Sequence, residues 1–441
     1  MRKSTPAAVL CLLCMSLPAS AQSGPWSLSD CIDYALSHNI TVQQSGITVS
    51  QREIELNTAK SRMLPGISAS ASENFSFGRG LTSDNTYTNS NTSSTSFSLG
   101  GEIPVFQGLD IVNGIKLSKL NLSSATADLE KARDDIRVAV AQAYAQILYN
   151  EEILEISEYQ AEHDASLLEQ MQARRDAGKA SDAEVAAQKA TLAQSELSRT
   201  QAQGNLMLSK LELTQLLELP SPDGFDVVRP SADALEIKLL DSPEVIYDMA
   251  LGIKPSVLSS SIQVEAAKVS VAKAKGAYLP ALSLSGGIGT NYYTTSNVQS
   301  PSFGEQLRNN FSQYIGVSLN VPIFSRFSTR NAVRGAELNL RNSALQLESV
   351  KKSLYKEIQQ AYYNALTSQS RYASSRESSS SAEQYYQMIE QKYLAGKAGI
   401  TDYNDAKNSY LKAKSEFLQA RYECLFQTGL LDFYKGGEIV F

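Results

Sequence analysis

Apolar residues recur along this chain in two rhythms, and the rhythms alternate. From position 122 onward Leu122, Ala125, Leu129, Ala132, Ile136, Ala139 and Ala143 step by threes and fours, the spacing that lines one face of a helix. Leu340, Ser343, Leu347, Val350 and Leu354 repeat the same steps 218 positions later. No proline interrupts residues 106–219 or 324–441, and Ala, Leu, Glu, Gln, Lys and Ser dominate both stretches. Long helices are therefore expected in each. A seam rich in Ala and Ser allows close side-by-side packing, as in an antiparallel coiled coil.

Before each helical stretch the period changes to two. Ile67, Ala69, Ala71, Phe75 and Phe77 lead into a polar loop, and Phe97, Leu99, Ile103 and Val105 lead out of it. In the second half Leu282, Leu284, Gly286 and Ile288 are followed, across another polar loop, by Ile315, Val317, Leu319, Val321 and Ile323. Segments of roughly eleven residues with apolar groups on one face and Ser, Thr, Asn or Gly on the other suit strands between lipid and water. A soluble sandwich edge is the competing reading. Tyr292, Tyr293, Phe311 and Phe324 stand near strand ends, where interfacial aromatics belong. Glu73 interrupts the apolar face of the first strand.

Further landmarks share the offset. QAY at 142–144 answers QAY at 360–362, IPVF at 103–106 answers VPIF at 321–324, and AGKA at 177–180 answers AGKA at 395–398. AKSRMLPGISAS around Pro65 answers AKGAYLPALSLS around Pro280 at an offset of 215, the difference falling in a loop. Internal duplication accounts for the set. Neither AGKA is a phosphate loop, because each lacks the earlier glycine and the following Ser or Thr. A glycine that ends one helix in the left-handed conformation is the expected role of Gly178 and Gly396.

Composition and address narrow the class. Residues 1–21 combine Arg2 and Lys3, an apolar run and Ala19-Ser20-Ala21, which predicts a secretory signal cleaved after Ala21. Neither Cys14 nor Cys31 follows the small residue that lipidation needs, so no lipid anchor is expected. Cys31 and Cys424 then remain, too few for a disulfide framework; one bridge is allowed in an oxidising compartment, and two free buried thiols are expected. The net charge of −6 becomes −8 once Arg2 and Lys3 leave. No basic block suits nucleic acid. No mature segment is long and apolar enough for a spanning helix, so any crossing uses strands.

The order helix, LP, strand, loop, strand, PVF or PIF, long helix, glycine tip and returning helix, met twice and preceded by SLSDCIDYALSHN, resembles that of TolC-type outer-membrane efflux proteins. The similarity covers nearly the whole mature chain. It implies a mainly α protein with a membrane β-barrel: duplicated long helical hairpins forming a trimeric α-helical tunnel, topped by a twelve-stranded barrel with four strands from each chain. Four strands cannot close alone in lipid. Helices of about seventy residues rise on the order of 100 Å at roughly 1.5 Å per residue, enough for much of a periplasm. The expected segments are 22–64 (N-terminal belt and ascending helix), 65–107 (first β-hairpin), 108–219 (first helical hairpin), 220–244 (belt linker), 245–279 (ascending helix), 280–324 (second β-hairpin), 325–435 (second helical hairpin) and 436–441 (tail). Partners implied are a periplasmic adaptor and an inner-membrane transporter, with outer-membrane lipid around the barrel of a Gram-negative-type bacterium.

The resemblance also assigns residues. Asp402 and Asp405 match a pair of aspartates lining the periplasmic entrance; capping of the returning helix is a compatible role. Glu184 is the one acid at the matching place in the first half, where Ser181 and Glu184 have the spacing of a capping box. Tyr393 matches a tyrosine that holds the entrance shut through an acid near Glu184. The arginine of that latch is replaced by Ala398, and Lys397 beside it is a candidate substitute. The tips, Gly178 with Lys179 and Gly396 with Lys397, are the expected adaptor-docking points.

Chemistry argues against an enzyme. The two histidines, His38 and His163, sit in no metal-ligand motif, and His163, flanked by Glu162 and Asp164, is read as part of an exposed helix face. No catalytic residue, cofactor or metal is expected. The functional reading is a passive exit channel of a tripartite efflux or type I secretion system, whose cargo the pump selects. Alternatives are a structural coiled-coil envelope or surface protein, which has no need of two amphipathic strand pairs, and an envelope hydrolase, which would need a compact catalytic domain.

Overall fold

The computed structural model describes residues 24–81, 85–230, 239–296 and 299–441. The expected signal segment, its cleavage site and the middle of the belt linker lie outside them. In chain order the elements are α1 (Leu28–His38), α2 (Ile40–Ser61), β1 (Gly66–Ser76), β2 (Arg79–Leu81), β3 (Tyr87–Asn89), β4 (Thr92–Gln107), α3 (Asp110–Asp176), α4 (Asp182–Leu216), α5 (Pro243–Ile253), α6 (Pro255–Gly276), β5 (Ala281–Thr295), α7 (Phe303–Asn309), β6 (Ser312–Asn320), α8 (Ser328–Leu394) and α9 (Ile400–Tyr434).

The proline-free stretches form two helix pairs of matching length. α3 and α8 have 67 residues each, and α4 and α9 have 35 each. At about 1.5 Å per residue, α3 and α8 each rise on the order of 100 Å. Ala125, Ile136, Ala143 and Leu354 are buried along the seams, while Leu122, Leu129, Leu347 and Val350 are half-buried. Among the described residues no helix is long and apolar enough to cross a membrane.

The period-two segments form one antiparallel sheet in the order β1-β4-β5-β6. The central pairing joins the two halves of the chain, with Leu99 opposite Ile288 and Ile103 opposite Leu284. This register collects Ile67, Ala69, Ala71, Phe97, Leu99, Ile288, Ile315 and Val317 on one face. Serines and glycines predominate on the other, which also carries Glu102, Tyr293 and Tyr314; there Ser70 bonds Ser98 at 2.7 Å and Ser72 bonds Ser96 at 2.8 Å. Glu73, on the apolar face, is held by the hydroxyls of Ser93 and Thr95 on β4. The outer edges of β1 and β6 have no partner strand among the described residues.

Two details differ from the sequence expectation. β6 stops at Asn320, leaving Val321 and Ile323 outside the ladder; Pro322 has no N–H with which to extend it. Pro104 stays within β4, accommodated by a register shift between Pro104 and Phe106. The polar loops are also more ordered than turns alone. The first carries the β2–β3 ladder. The second carries α7, whose Gln306 side chain bonds both the N–H and the carbonyl of Tyr293 at 3.0 Å, imitating a strand.

Midway along the helices an apolar cluster forms around Cys31, Val140, Ile147, Leu213 and Leu217. Trp26 pairs with Val227 as a short parallel bridge, and the Tyr144 hydroxyl donates to the Val228 carbonyl at 2.6 Å. A second cluster joins α5, α6, α8 and α9 around Ile246, Ile358 and Leu431. Cys31 and Cys424 are buried and unpaired; burial, with Asp30 nearby, pushes the Cys31 thiol up to about 12, which keeps it inert.

Candidate functional site

Both AGKA segments end their helices in the same way. Gly178 (φ +70°) and Gly396 (φ +72°) are left-handed. Lys179 N–H donates to the Arg174 carbonyl and Gly178 N–H to that of Arg175, each at 2.8 Å; Lys397 and Gly396 repeat the bonds to Lys392 and Tyr393 at 2.7 and 2.9 Å. This is the Schellman arrangement, which satisfies carbonyls otherwise left free at a helix end. Gly178, Lys179, Gly396 and Lys397 are all exposed.

The returning helices begin differently. At α4 the Ser181 hydroxyl accepts from Glu184 N–H, and the Glu184 carboxylate accepts from Ser181 N–H at 2.7 Å, closing a capping box. The bond from the Ser181 N–H, followed by one that the Ser181 hydroxyl donates to the same carboxylate at 2.9 Å, draws the Glu184 carboxyl below its ordinary range. At α9 the cap is Gly399, and Asp402 Oδ2 accepts its N–H at 3.2 Å. Asp402 and Asp405 share the exposed face of the first turns, opposite the buried Tyr403, Ala406 and Lys407.

Between the tips lies an aromatic core. Tyr393 stacks on Tyr403 with centroids 4.8 Å apart, and Tyr386 lies parallel to Tyr410 at 5.5 Å. The Tyr393 hydroxyl donates to Met171 Sδ at 3.6 Å. Burial raises its pKa, with Arg174 opposing and Glu184 reinforcing the shift. Tyr393 and Glu184 thus lie within electrostatic reach, although the Glu184 carboxylate caps its own helix.

The reading of His163 and Asp164 as part of an exposed face is corrected here, whereas Glu162 is exposed. Asp164 is fully buried, and both its oxygens accept from Lys407 Nζ of α9, at 2.9 and 2.6 Å. Ser195 of α4 donates to the same carboxylate. His163 Nε2 lies 2.9 Å from Glu390 Oε1 of α8, and its Nδ1 is 3.4 Å from the Tyr403 hydroxyl. The clue in the sequence is spacing: Asp164 falls in step with Ala161, Leu167 and Met171, all buried. A charge in a helix seam needs a partner. Among the described residues no cluster suited to a metal ion occurs.

A sheet with one apolar face is thus set on long paired helices that end in glycine tips. The sequence model of the outer membrane efflux protein family matches residues 31–218 and 246–428, and the chain belongs to that family. It is 27% identical over 173 residues to the outer membrane protein TolC of Escherichia coli, a match covering 38% of this chain and 35% of TolC. That match therefore spans about a third of its relative. The outer membrane efflux protein BepC of Brucella suis is 22% identical over 418 residues, covering 92% of this chain and 85% of BepC. The solved CmeC outer membrane channel of Campylobacter jejuni shares the fold, with a TM-score of 0.76, 21% identity and coverage of 94% of this chain and 87% of that one.

Proposed function

We propose that this protein is the passive outer-membrane exit channel of a tripartite efflux or type I secretion assembly. The observation that carries the proposal is the sheet: four strands with one apolar face and two unpaired edges, set on helices that rise on the order of 100 Å. Open edges in hydrocarbon cost several kcal/mol per unsatisfied group. Three copies, β6 of one beside β1 of the next, remove every edge by closing a twelve-stranded barrel. The duplicated hairpins then form a tunnel through the periplasm, and an inner-membrane transporter supplies the energy. No cofactor takes part. The exposed tips at Gly178, Lys179, Gly396 and Lys397 dock a periplasmic adaptor; crosslinkers at Lys179 and Lys397 should capture it, and capture only by belt probes would move the docking site.

Asp402 and Asp405 are assigned to the entrance, with Tyr393, Glu184 and Lys397 around it. Six carboxylates from three chains converging there would select cations and bind multivalent ones strongly. The test is bilayer conductance of Asp402→Asn/Asp405→Asn. Asparagine keeps an acceptor for the Gly399 N–H while removing the charge. Weakened cation selectivity and weakened block by a trivalent cation are expected. Unchanged values in a stable trimer would leave the pair as helix caps. Recovery of the wild type as a soluble periplasmic monomer would overturn the barrel itself.

A further inference from the structure

We propose that α3, α4 and α9 enclose a binding site for a small uncharged molecule that carries an amide, of the class of N-acetylated amino sugars. The three helices line a cavity of about 440 Å³, within the range of small-ligand pockets and far above the roughly 30 Å³ that one water occupies. All three belong to the same chain, so the site needs no neighbouring copy. Ile153, Ile156 and Leu411 supply an apolar wall, while Ala190, Gln194 and Asn408 are exposed and mark the mouth. The lining holds no carboxylate. Its one charge, Lys407, is already paired with Asp164.

Two side-chain amides bordering this cavity are incomplete. Gln160 is 6% exposed and its Nε2 meets no partner; Asn404 Oδ1 is buried and meets none either. A buried polar group without a bond is costly, and native chains keep few of them. The hydroxyls in the lining do not answer these two. Ser157, Thr191 and Ser198 donate to the carbonyls of Ile153, Ala187 and Gln194, one turn back in their own helices, at 2.8, 3.1 and 3.0 Å. They therefore offer the cavity only lone pairs. A fitting ligand accepts from Gln160, donates to Asn404 and brings further donors for the hydroxyl oxygens. A secondary amide presents a carbonyl and an N–H together, and it satisfies both orphans whichever way each side-chain amide is turned. Sugar hydroxyls serve the serines and the threonine, and the acetyl methyl suits the apolar wall. Net charge is disfavoured, because an anion finds no unpaired cation there and a cation meets Lys407.

The experiment is titration of the detergent-solubilised full-length protein with N-acetylglucosamine, followed by ligand-observed NMR and by melting temperature. Saturable binding is expected. Glucose, which lacks the amide, and N-acetylalanine methylamide, which lacks the hydroxyls, should each bind about tenfold more weakly or worse. Gln160→Met and Asn404→Leu nearly keep the volume, remove one orphan each and should weaken binding by about tenfold. Without ligand, both variants should melt at a higher temperature than wild type, because each has lost a buried unpaired polar atom. An amide with a merely structural role would lower the melting temperature instead. Lys397→Ala, at the tip, should change neither readout. Binding of the methylamide as tight as that of the sugar would overturn the sugar assignment. No saturable binding by wild type, or variants that melt lower and bind undiminished, would overturn the site and leave a cavity for ordered water only.

Discussion

The two halves of the chain turn from strand into long helix through the same backbone but with different residues. Gly108 (φ +55°) and Leu109 (φ +65°) lead into α3; Arg326 (φ +50°) and Phe327 (φ +61°) lead into α8. Left-handed backbone disfavours residues with a Cβ by roughly 1–2 kcal/mol each, yet three of these four positions carry one. Glycine is retained only where something else demands it. A Cβ on Gly108 would stand 2.2 Å from the Gly276 carbonyl oxygen, and one on Gly276 would stand 2.1 Å from that of Gly108. The end of α6 crosses the start of the first helical pair backbone to backbone. Close approach, rather than the dihedral angle, explains the glycine.

Copying the second half into the first should break this arrangement most severely. Gly108→Arg places a side chain where a backbone already lies, and a clash that cannot relax by rotamer change is expected to cost about 3 kcal/mol or more. Loss of assembled protein, or a large fall in its melting temperature, is the readout. The reciprocal Arg326→Gly relieves left-handed strain and adds backbone freedom to the unfolded chain, so it should shift stability by less than about 1 kcal/mol. Comparable losses from both changes would mean that the dihedral angle governs both junctions.

At the tips the halves agree instead. Nothing lies within 4 Å of a Cβ built on Gly178 or Gly396, so Gly178→Val and Gly396→Val report strain alone, about 1–2 kcal/mol each. Equal losses of thermal stability are expected. A much larger loss at Gly396 would show that its backbone also supports the aromatic core under Tyr393.

Local pattern carried the elements far better than their meeting points. The three-and-four steps around Leu129 and Leu347, the alternation around Leu284 and the shared AGKA are properties of short segments, and the corresponding helices, strands and glycine turns follow from them. The strand order does not. Pairing Leu99 with Ile288 brings the two halves together, and period two cannot say which strand is whose neighbour. The tip residues were within reach because Ser181 and Glu184 are a local motif. Asp164 and Lys407 were not, because the 243 positions between them conceal the pair; only the seam spacing from Ala161 to Met171 marks Asp164 as buried. Local acidity suggests solvent, and tertiary packing overrides it.

The starts of α4 and α9 allow a finer comparison. Ser181→Ala removes a side-chain acceptor for the Glu184 N–H and should cost about 1 kcal/mol. Gly399 has φ −77°, a conformation open to any residue, and a Cβ there would meet Asp402 Oδ2 at an ordinary 3.5 Å. Gly399→Ser should therefore install the missing cap and gain a few tenths of a kcal/mol. Opposite shifts in melting temperature are expected. A loss from Gly399→Ser would show that the bare glycine is needed for the position of Asp402.

The smallest effect is the pH response of the first tip. The Ser181 backbone and hydroxyl bonds favour the charged form of Glu184 and hold its folded pKa below the unfolded value. The unfolded helix start therefore binds the proton more readily, and stability falls as pH falls through this window. Below the ordinary carboxylate range the box opens; above it the contribution is fully present. Deuterium exchange at residues 181–185, corrected for the intrinsic effect of acid, should show protection lost on acidification in the wild type. Glu184→Gln has no carboxyl to titrate, so its protection should be lower at neutral pH and flat through the same window. An equal acid response in both proteins would trace the loss to another carboxylate near the tip, such as Asp182, whose side chain is 92% exposed and lies 4.0 Å from Arg175.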